Sequence, residues 1–376
     1  LGNVVALALL GPRSRESEIS VVRAASYAWY WVTTHEDLRA RVLIFGCMPE
    51  VIDSASHILS HEVLDTLEEE HSSIELTSLR NAPRLFEVDD RIDYLDRHGI
   101  DKQVINLAAP NMWHGVDPDD AIEATRIAND EIRRIADEHP DRFIPVGTVP
   151  FLTNEYVDEA RRCIEELDFH GIQIFSNING RMLDDEAFEP FYQTVDDLDV
   201  PIWIHPQIHD WHDYEEGSMW IYKMLGWPFD TSVAVARLVF SGVLERHQNL
   251  DIVTHHLGGT LPFLVGRVRS WYRTRQEEPE LYTNPELVDL PKPLDAYFDR
   301  VYGDTAVSSV GEKYPLRCGY EFFGPDNVLY GADYPFGPDR GDYWAQEILA
   351  VIDELEIPED HKQKIYSGNI KRLLDL

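Results

Sequence analysis

Residues 51–67 read VIDSASHILSHEVLDTL. A short apolar run enters a histidine and then, past Ser60, takes up helical spacing, so the segment is one strand-to-helix unit with His57 at the strand's end. Side chains two apart on a strand share a face, which predicts Asp53, Ala55 and His57 in one row.

The same unit recurs along the chain. Strands are predicted at EVID 50–53, QVINLAA 103–109, RFIPVGT 142–148, GIQIFS 171–176, PIWIH 201–205, DIVTH 251–255, RVYGDT 300–305 and NVLYGAD 327–333, with helical patterns between them. Tyr156, Ala160, Cys163, Ile164 and Leu167 fall on one helical face, and Phe188, Phe191, Tyr192, Val195 and Leu198 on another. Asp117-Pro118 is the expected opening of a helix, a capping side chain followed by proline at the first position. Eight strand-helix units with no GxGxxG or phosphate-binding loop predict an α/β fold of the closed (β/α)8 TIM barrel kind rather than an open doubly wound sheet.

Composition narrows the function. With 33 basic against 68 acidic residues the formal charge is -35, which repels nucleic acid and anionic membranes. The acid is spread along the chain, as in Asp119-Asp120 and Asp184-Asp185, the distribution expected of a halophilic protein whose self-repulsion is screened by salt. Cys47, Cys163 and Cys318 form no CxxC pair, which fits a reducing cytoplasm and argues against a disulfide framework or zinc ribbon. No apolar run reaches the length of a membrane span. Residues 1–47 hold five basic and four acidic residues, unlike the acidic remainder, and Met48 stands just before the first strand. The expectation is a non-native extension or read-through over 1–47 and one barrel domain over 48–376.

A barrel collects its chemistry at the C-terminal ends of its strands. His57, His205, His255, His256 and Asp333 all stand there. Two neutral imidazoles and a carboxylate suit a borderline divalent cation, zinc or manganese, with open positions for water or substrate. His57, His205 and Asp333 are the candidate ligands. The fourth strand offers Gln173, Phe175, Ser176 and Asn177 but no lysine to bridge a second metal, so one cation is expected. Asp304 is read either as an acceptor for a histidine or as a backbone cap.

These residues resemble the amidohydrolase-related proteins of the aminocarboxymuconate-semialdehyde decarboxylase type. The resemblance covers roughly residues 50–376. It rests on ID-x-x-x-H at 52–57, RIDYLDRHGIDKQV at 91–104, GIQIFSNINGRMLDDEAFEPFY at 171–192, IWIHP at 202–206, SGVLERHQNLDIVTHHLGGTLPFLVGRV at 241–268, YGADYPFG at 330–337 and SGN at 367–369. It implies a metal-dependent nonoxidative decarboxylase of a small aromatic or unsaturated carboxylic acid, with a metal-dependent amide or lactone hydrolase as the alternative and a metal-free, non-catalytic binder as a third reading. It also implies a homodimer.

Residue by residue, the resemblance makes His57 and His205 metal ligands, Asp333 a ligand that also handles the proton, and His256 the catalytic histidine. Arg91 falls where such decarboxylases bind substrate carboxylate. Because neighbours on an extended strand point oppositely, His255 is then expected to be packed outside the lumen or hydrogen-bonded. One position departs: family members commonly carry a histidine or carboxylate where this chain has Ala55. Finally, residues 207–230 form a long aromatic connection whose Trp211, Trp220 and Trp227 are expected to act as a lid on a planar substrate or as a dimer contact.

Overall fold

The computed structural model describes residues 49–70, 79–107, 117–152, 154–207, 221–281 and 290–376. The expectations for residues 1–47, and for Trp211 and Trp220, fall outside these. Residues Glu50–Leu376 belong to one compact unit.

Parallel pairing runs through all eight expected strands. The first, split into Ile52–Asp53 and His57–Ile58, pairs with the second, Lys102–Leu107, which pairs with Phe143–Pro145 of the third. The third resumes at Gly147–Thr148 and pairs with the fourth, Ile172–Phe175. Order then continues through Ile202–His205, Ile252–Thr254, Val301–Asp304 and Val328–Leu329. Ser54 N–H donates to Tyr330 O at 2.8 Å, Asp333 N–H to Ala55 O at 2.8 Å and His57 N–H to Tyr334 O at 2.7 Å, so the eighth strand closes on the first. The result is a closed barrel with no free edge.

The lumen floor is apolar. Ile52, Val104, Ile144, Val146, Trp203, Val253, Tyr302 and Leu329 form one buried cluster with Ile370 and Leu374, so the helix Asn369–Leu373 plugs the bottom. Trp203 is fully buried and its indole N–H donates across the lumen to Ser54 O at 3.2 Å. Counting two residues up from each floor residue places Asn106, His205, His255 and Asp304 on the lumen side near the opposite mouth.

The outer layer follows the expected amphipathic patterns. Tyr156, Ala160 and Cys163 are buried on helix Asn154–Glu165, while Ile164 is only partly buried and Leu167 lies beyond the helix end. Asp117 caps Pro118–Glu138, accepting from Asp119 N–H at 3.0 Å. Cys163 and Cys318 are both unpaired. Among the described residues no helix is long and apolar enough to cross a membrane.

One register shift corrects the expected row on the first strand. Asp53 pairs with Gln103 and His57 with Asn106, so four residues on the first strand span three on the second. This is a β-bulge, and it reverses the facing of Asp53 relative to His57. Asp53 turns to the helix side, where Oδ2 accepts from Gln103 Nε2 at 2.8 Å and Oδ1 from Ala55 N–H (3.1 Å) and Ala332 N–H (3.0 Å). It clamps the first strand to the eighth and is not positioned to ligate.

Candidate active site

The site is built where the bulged first strand, the fifth, sixth and seventh strands and the turn after the eighth meet at one mouth. His57 is fully buried, and His205, His256 and Asp333 are nearly so. The rings of His57 and His205 lie 5.1 Å apart between centroids, and His57 Nε2 stands 3.2 Å from Asp333 Oδ1. The three expected ligands are therefore brought together.

Each imidazole is oriented from behind. His57 Nδ1 lies 2.9 Å from Asn106 Oδ1, and His205 Nδ1 lies 2.9 Å from Pro206 O, so both rings carry their proton on Nδ1 and turn an Nε2 lone pair into the lumen. His57 Nε2 has no aligned hydrogen-bond partner. With Nδ1 turned to Asn106, His57 presents Nε2 to a carboxylate oxygen, an arrangement that a cation, or a second proton on the ring, makes attractive. Among the described residues no three such side chains are already drawn to ligand distance. The donor set itself fits a divalent cation: two imidazole lone pairs and a carboxylate, each held by protein groups.

The electrostatics agree. Burial, reinforced by the neighbouring His57, His255 and His256, pulls His205 well below the ordinary histidine range, the neutral state a ligand needs. Burial would raise Asp333, but the contact with His57 and the charges of His57, His256 and His255 hold it below the usual carboxylate value, so it rests ionised.

His256 sits where strand geometry has ended. The sixth strand stops at Thr254, and His256, Leu257, Gly258 and Gly259 all have positive φ. A Cβ on Gly259 would lie 2.0 Å from Pro228 O, so the glycine is required for the close approach that turns this segment over the mouth. The His256 backbone N–H donates to Asp304 Oδ1 at 2.9 Å and the His256 carbonyl accepts from Ser308 Oγ at 3.0 Å. Burial lowers its pKa against the opposing pull of Asp333 and Asp304.

His255 is not outside the barrel. It is fully buried, its ring is 5.7 Å from that of His57 and 5.2 Å from that of His205, and Nδ1 lies 2.7 Å from Asp304 Oδ2. The expectation failed because alternation was counted from His256 across a backbone that leaves the strand. Counted from Val253, which is in the floor cluster, His255 faces inward, a signal present in the sequence. Asp304 consequently stands in both places read for it, paired with a histidine through Oδ2 and capping the backbone of His256 and Ala306 through Oδ1. Burial would lower His255, yet Asp304, with Asp333 and Asp53, holds it above its ordinary value.

Arg91 also needs correction. It lies on the helix Val88–His98 with no exposed surface. Its guanidinium donates to Gln103 Oε1 at 2.7 Å, Ser56 Oγ at 3.1 Å and His57 O, and stacks 4.6 Å over the Tyr334 ring. Those donors are spent behind the barrel wall, so Arg91 braces the strand carrying His57 and does not reach a substrate. Trp227, by contrast, meets His205 edge to face at 5.6 Å, and Phe336 and Phe175 approach His57 and His205 at 5.8 and 6.2 Å. The mouth has aromatic walls.

Residues 52–376 match the amidohydrolase family. The chain belongs to that family. It is 31% identical to the 2-amino-3-carboxymuconate-6-semialdehyde decarboxylase of Dictyostelium discoideum over 294 residues, 77% of this chain and 76% of the relative. It is 26% identical to the gamma-resorcylate decarboxylase of Rhizobium radiobacter over 75% of this chain and 88% of the relative. Among solved structures it resembles the 5-carboxyvanillate decarboxylase of Sphingomonas paucimobilis, with a TM-score of 0.75, 25% identity and coverage of 87% of this chain and 99% of that one. A dihydroxybenzoic acid decarboxylase from Polaromonas, solved with manganese and the inhibitor 2-nitroresorcinol, gives a TM-score of 0.70 at 26% identity, over 88% of this chain and 98% of that one. The amidohydrolase barrel expected from the sequence is thereby established, and solved relatives hold manganese.

Proposed function

We propose that this chain is a metal-dependent nonoxidative decarboxylase of a small aromatic carboxylic acid. The observation that carries the reading is the meeting of His57, His205 and Asp333 at the catalytic mouth of an amidohydrolase barrel whose relatives act on aromatic or unsaturated carboxylic acids.

His57, His205 and Asp333 would hold one manganese or zinc ion. Bound there, the cation would supply positive charge that orients the substrate's carboxylate or an adjacent hydroxyl. The protein's own groups do the rest. Trp227, Phe175 and Phe336 sandwich a planar ring and exclude water. Asp333 first takes up a proton and then delivers it to the carboxyl-bearing carbon, the carbon-carbon bond then breaks, its electron pair restores the ring and carbon dioxide leaves. Asp333 rests ionised, so its proton is resupplied from the open side, where His256 is the least buried of the histidines in the cluster.

A homodimer in a reducing, salt-rich cytoplasm completes the reading. It is supported by the charge of -35, the unpaired Cys163 and Cys318, and the exposed Phe263 and Trp271 on helix Leu261–Glu277. The test is to supply the purified protein with manganese or zinc and carboxyl-labelled hydroxybenzoates. Release of labelled carbon dioxide that a chelator abolishes is expected. Cleavage of amides or lactones without carbon dioxide from any aromatic acid would overturn the proposal.

A further inference from the structure

Three imidazole rings, not two, cluster at the mouth where His57 meets Asp333. The ring centroids of His57, His205 and His255 form a triangle with sides of 5.1, 5.2 and 5.7 Å. An imidazole whose nitrogen lies about 2.1 Å from a metal has its ring centre about 3.2 Å away, so tetrahedrally disposed imidazoles have centroids about 5.3 Å apart. All three sides sit near that spacing. His256 does not: its ring is 6.2 Å from His205 and 6.0 Å from His255.

The three rings are also wired alike. Nδ1 of His57 is held by Asn106 Oδ1, that of His205 by Pro206 O, and that of His255 lies against Asp304 Oδ2. The last is a close ion-pair contact rather than an aligned hydrogen bond, and His255 Nε2 has no partner although its side chain is wholly buried. An unpartnered nitrogen in a buried ring, with the other nitrogen backed by a carboxylate, is the arrangement expected of a metal-bound histidine. Ala55 meanwhile contributes only a methyl, and a Cβ built on Gly331 would meet that methyl at 2.8 Å and Asp304 Cβ at 3.0 Å. Position 55 therefore abuts the seventh and eighth strands beside Asp304 while offering no donor.

We infer that His255 is the third imidazole ligand of this chain's cation, positioned by Asp304, and that it fills the coordination place left without a donor at Ala55. The cation is then held by His57, His205, His255 and Asp333, with His256 outside the first ring of ligands and open to substrate. This inference rests on the metal-site reading of the proposed function, but it is tested by binding and not by turnover.

The chelator-stripped protein is titrated with cobalt(II), following its visible absorption, and with manganese(II), following the loss of free-ion resonance. The unaltered protein is expected to bind one ion. His255→Ala and His255→Gln should each weaken binding by about a hundredfold or more and change the cobalt spectrum, and Asp304→Asn should weaken it by about 10- to 100-fold. His256→Ala should leave affinity within about threefold on the same geometric grounds. Circular dichroism and thermal melts of the stripped variants identify any that fail to fold, and the glutamine variant, close in size and polar, keeps the test intact if the alanine variant does not. Full-affinity binding with an unaltered cobalt spectrum in a folded His255→Gln protein would overturn the inference while leaving the proposed function standing. Absence of any binding by the unaltered protein would overturn both.

Discussion

Replacing Arg91 with methionine separates a brace from a substrate-binding residue. The guanidinium makes three hydrogen bonds to buried acceptors, Gln103 Oε1, Ser56 Oγ and His57 O. At about 1.5–3 kcal/mol for each bond to a charged group, their gross worth is about 5–9 kcal/mol. A buried methionine returns about 2 kcal/mol through its apolar surface. Gln103 Oε1 loses its donor, and the nearby Asp53 carboxylate loses the buried positive charge that accompanies it. A net loss of about 3–5 kcal/mol is expected, the usual cost of removing one partner from a buried charged pair. With a urea dependence of about 3 kcal/mol per molar for a chain of this size, the midpoint should fall by about 1 M or more. The measurement is equilibrium urea unfolding of chelator-treated protein, so that metal binding adds nothing to the difference. Arg91→Lys should recover only part of the loss, because one ammonium cannot span the acceptors that the planar fork reaches. The reasoning fails if the midpoint of Arg91→Met moves by less than about 0.3 M, within the error of such extrapolations, while KM rises steeply and kcat holds.

Two further outcomes follow, one from the same wall of the barrel and one from the turn over its mouth. Burial pushes the Asp53 carboxyl up to about 7 against three hydrogen bonds that lower it. The folded state therefore binds this proton more tightly than the unfolded chain, so its contribution is greatest below about pH 4 and declines as pH rises to about 7, by up to about 1.4 kcal/mol per pH unit. Asp53→Asn should flatten that part of the stability profile, and an unchanged slope in urea midpoints between pH 5 and pH 7 would count against it. Gly259→Ala places a Cβ against Pro228 O at a positive φ, so it should cost about 2–5 kcal/mol, from backbone strain and overpacking together. A thermal melt within 1 °C of the unaltered protein would show that the turn over the mouth can relax.

The barrel was legible because each strand end carried its own signal: β-branched runs of four to seven residues, a polar or small break, then helical spacing. His57, His205 and Asp333 could be placed from those ends without knowing the path between them, since a closed parallel barrel delivers all its strand termini to one mouth. What escaped depended on departures from regular backbone. The bulge between Asp53 and His57 changes facing without changing composition, and no local residue pattern in DSASH announces it. His256 and Leu257 take positive φ although neither is glycine, so alternation counted through them misassigned His255. Arg91 was assigned to substrate through the resemblance alone, whereas its burial behind the strand depends on the packing of helix Val88–His98 against Gln103 and Tyr334.

The floor of the barrel bears on when the metal centre comes into being. Ile370 and Leu374 pack beneath strands that begin at Ile52, and the carboxylate at 333 sits in a turn hydrogen-bonded to Ala55. During synthesis the ribosome releases His57 long before either partner has been made. Chains terminated before the eighth strand carry the histidines but neither the carboxylate at 333 nor the floor residues Ile370 and Leu374, so the proposed cation site is not assembled in them. On the proposed ligand set, loading waits until the polypeptide has wrapped once around and met itself.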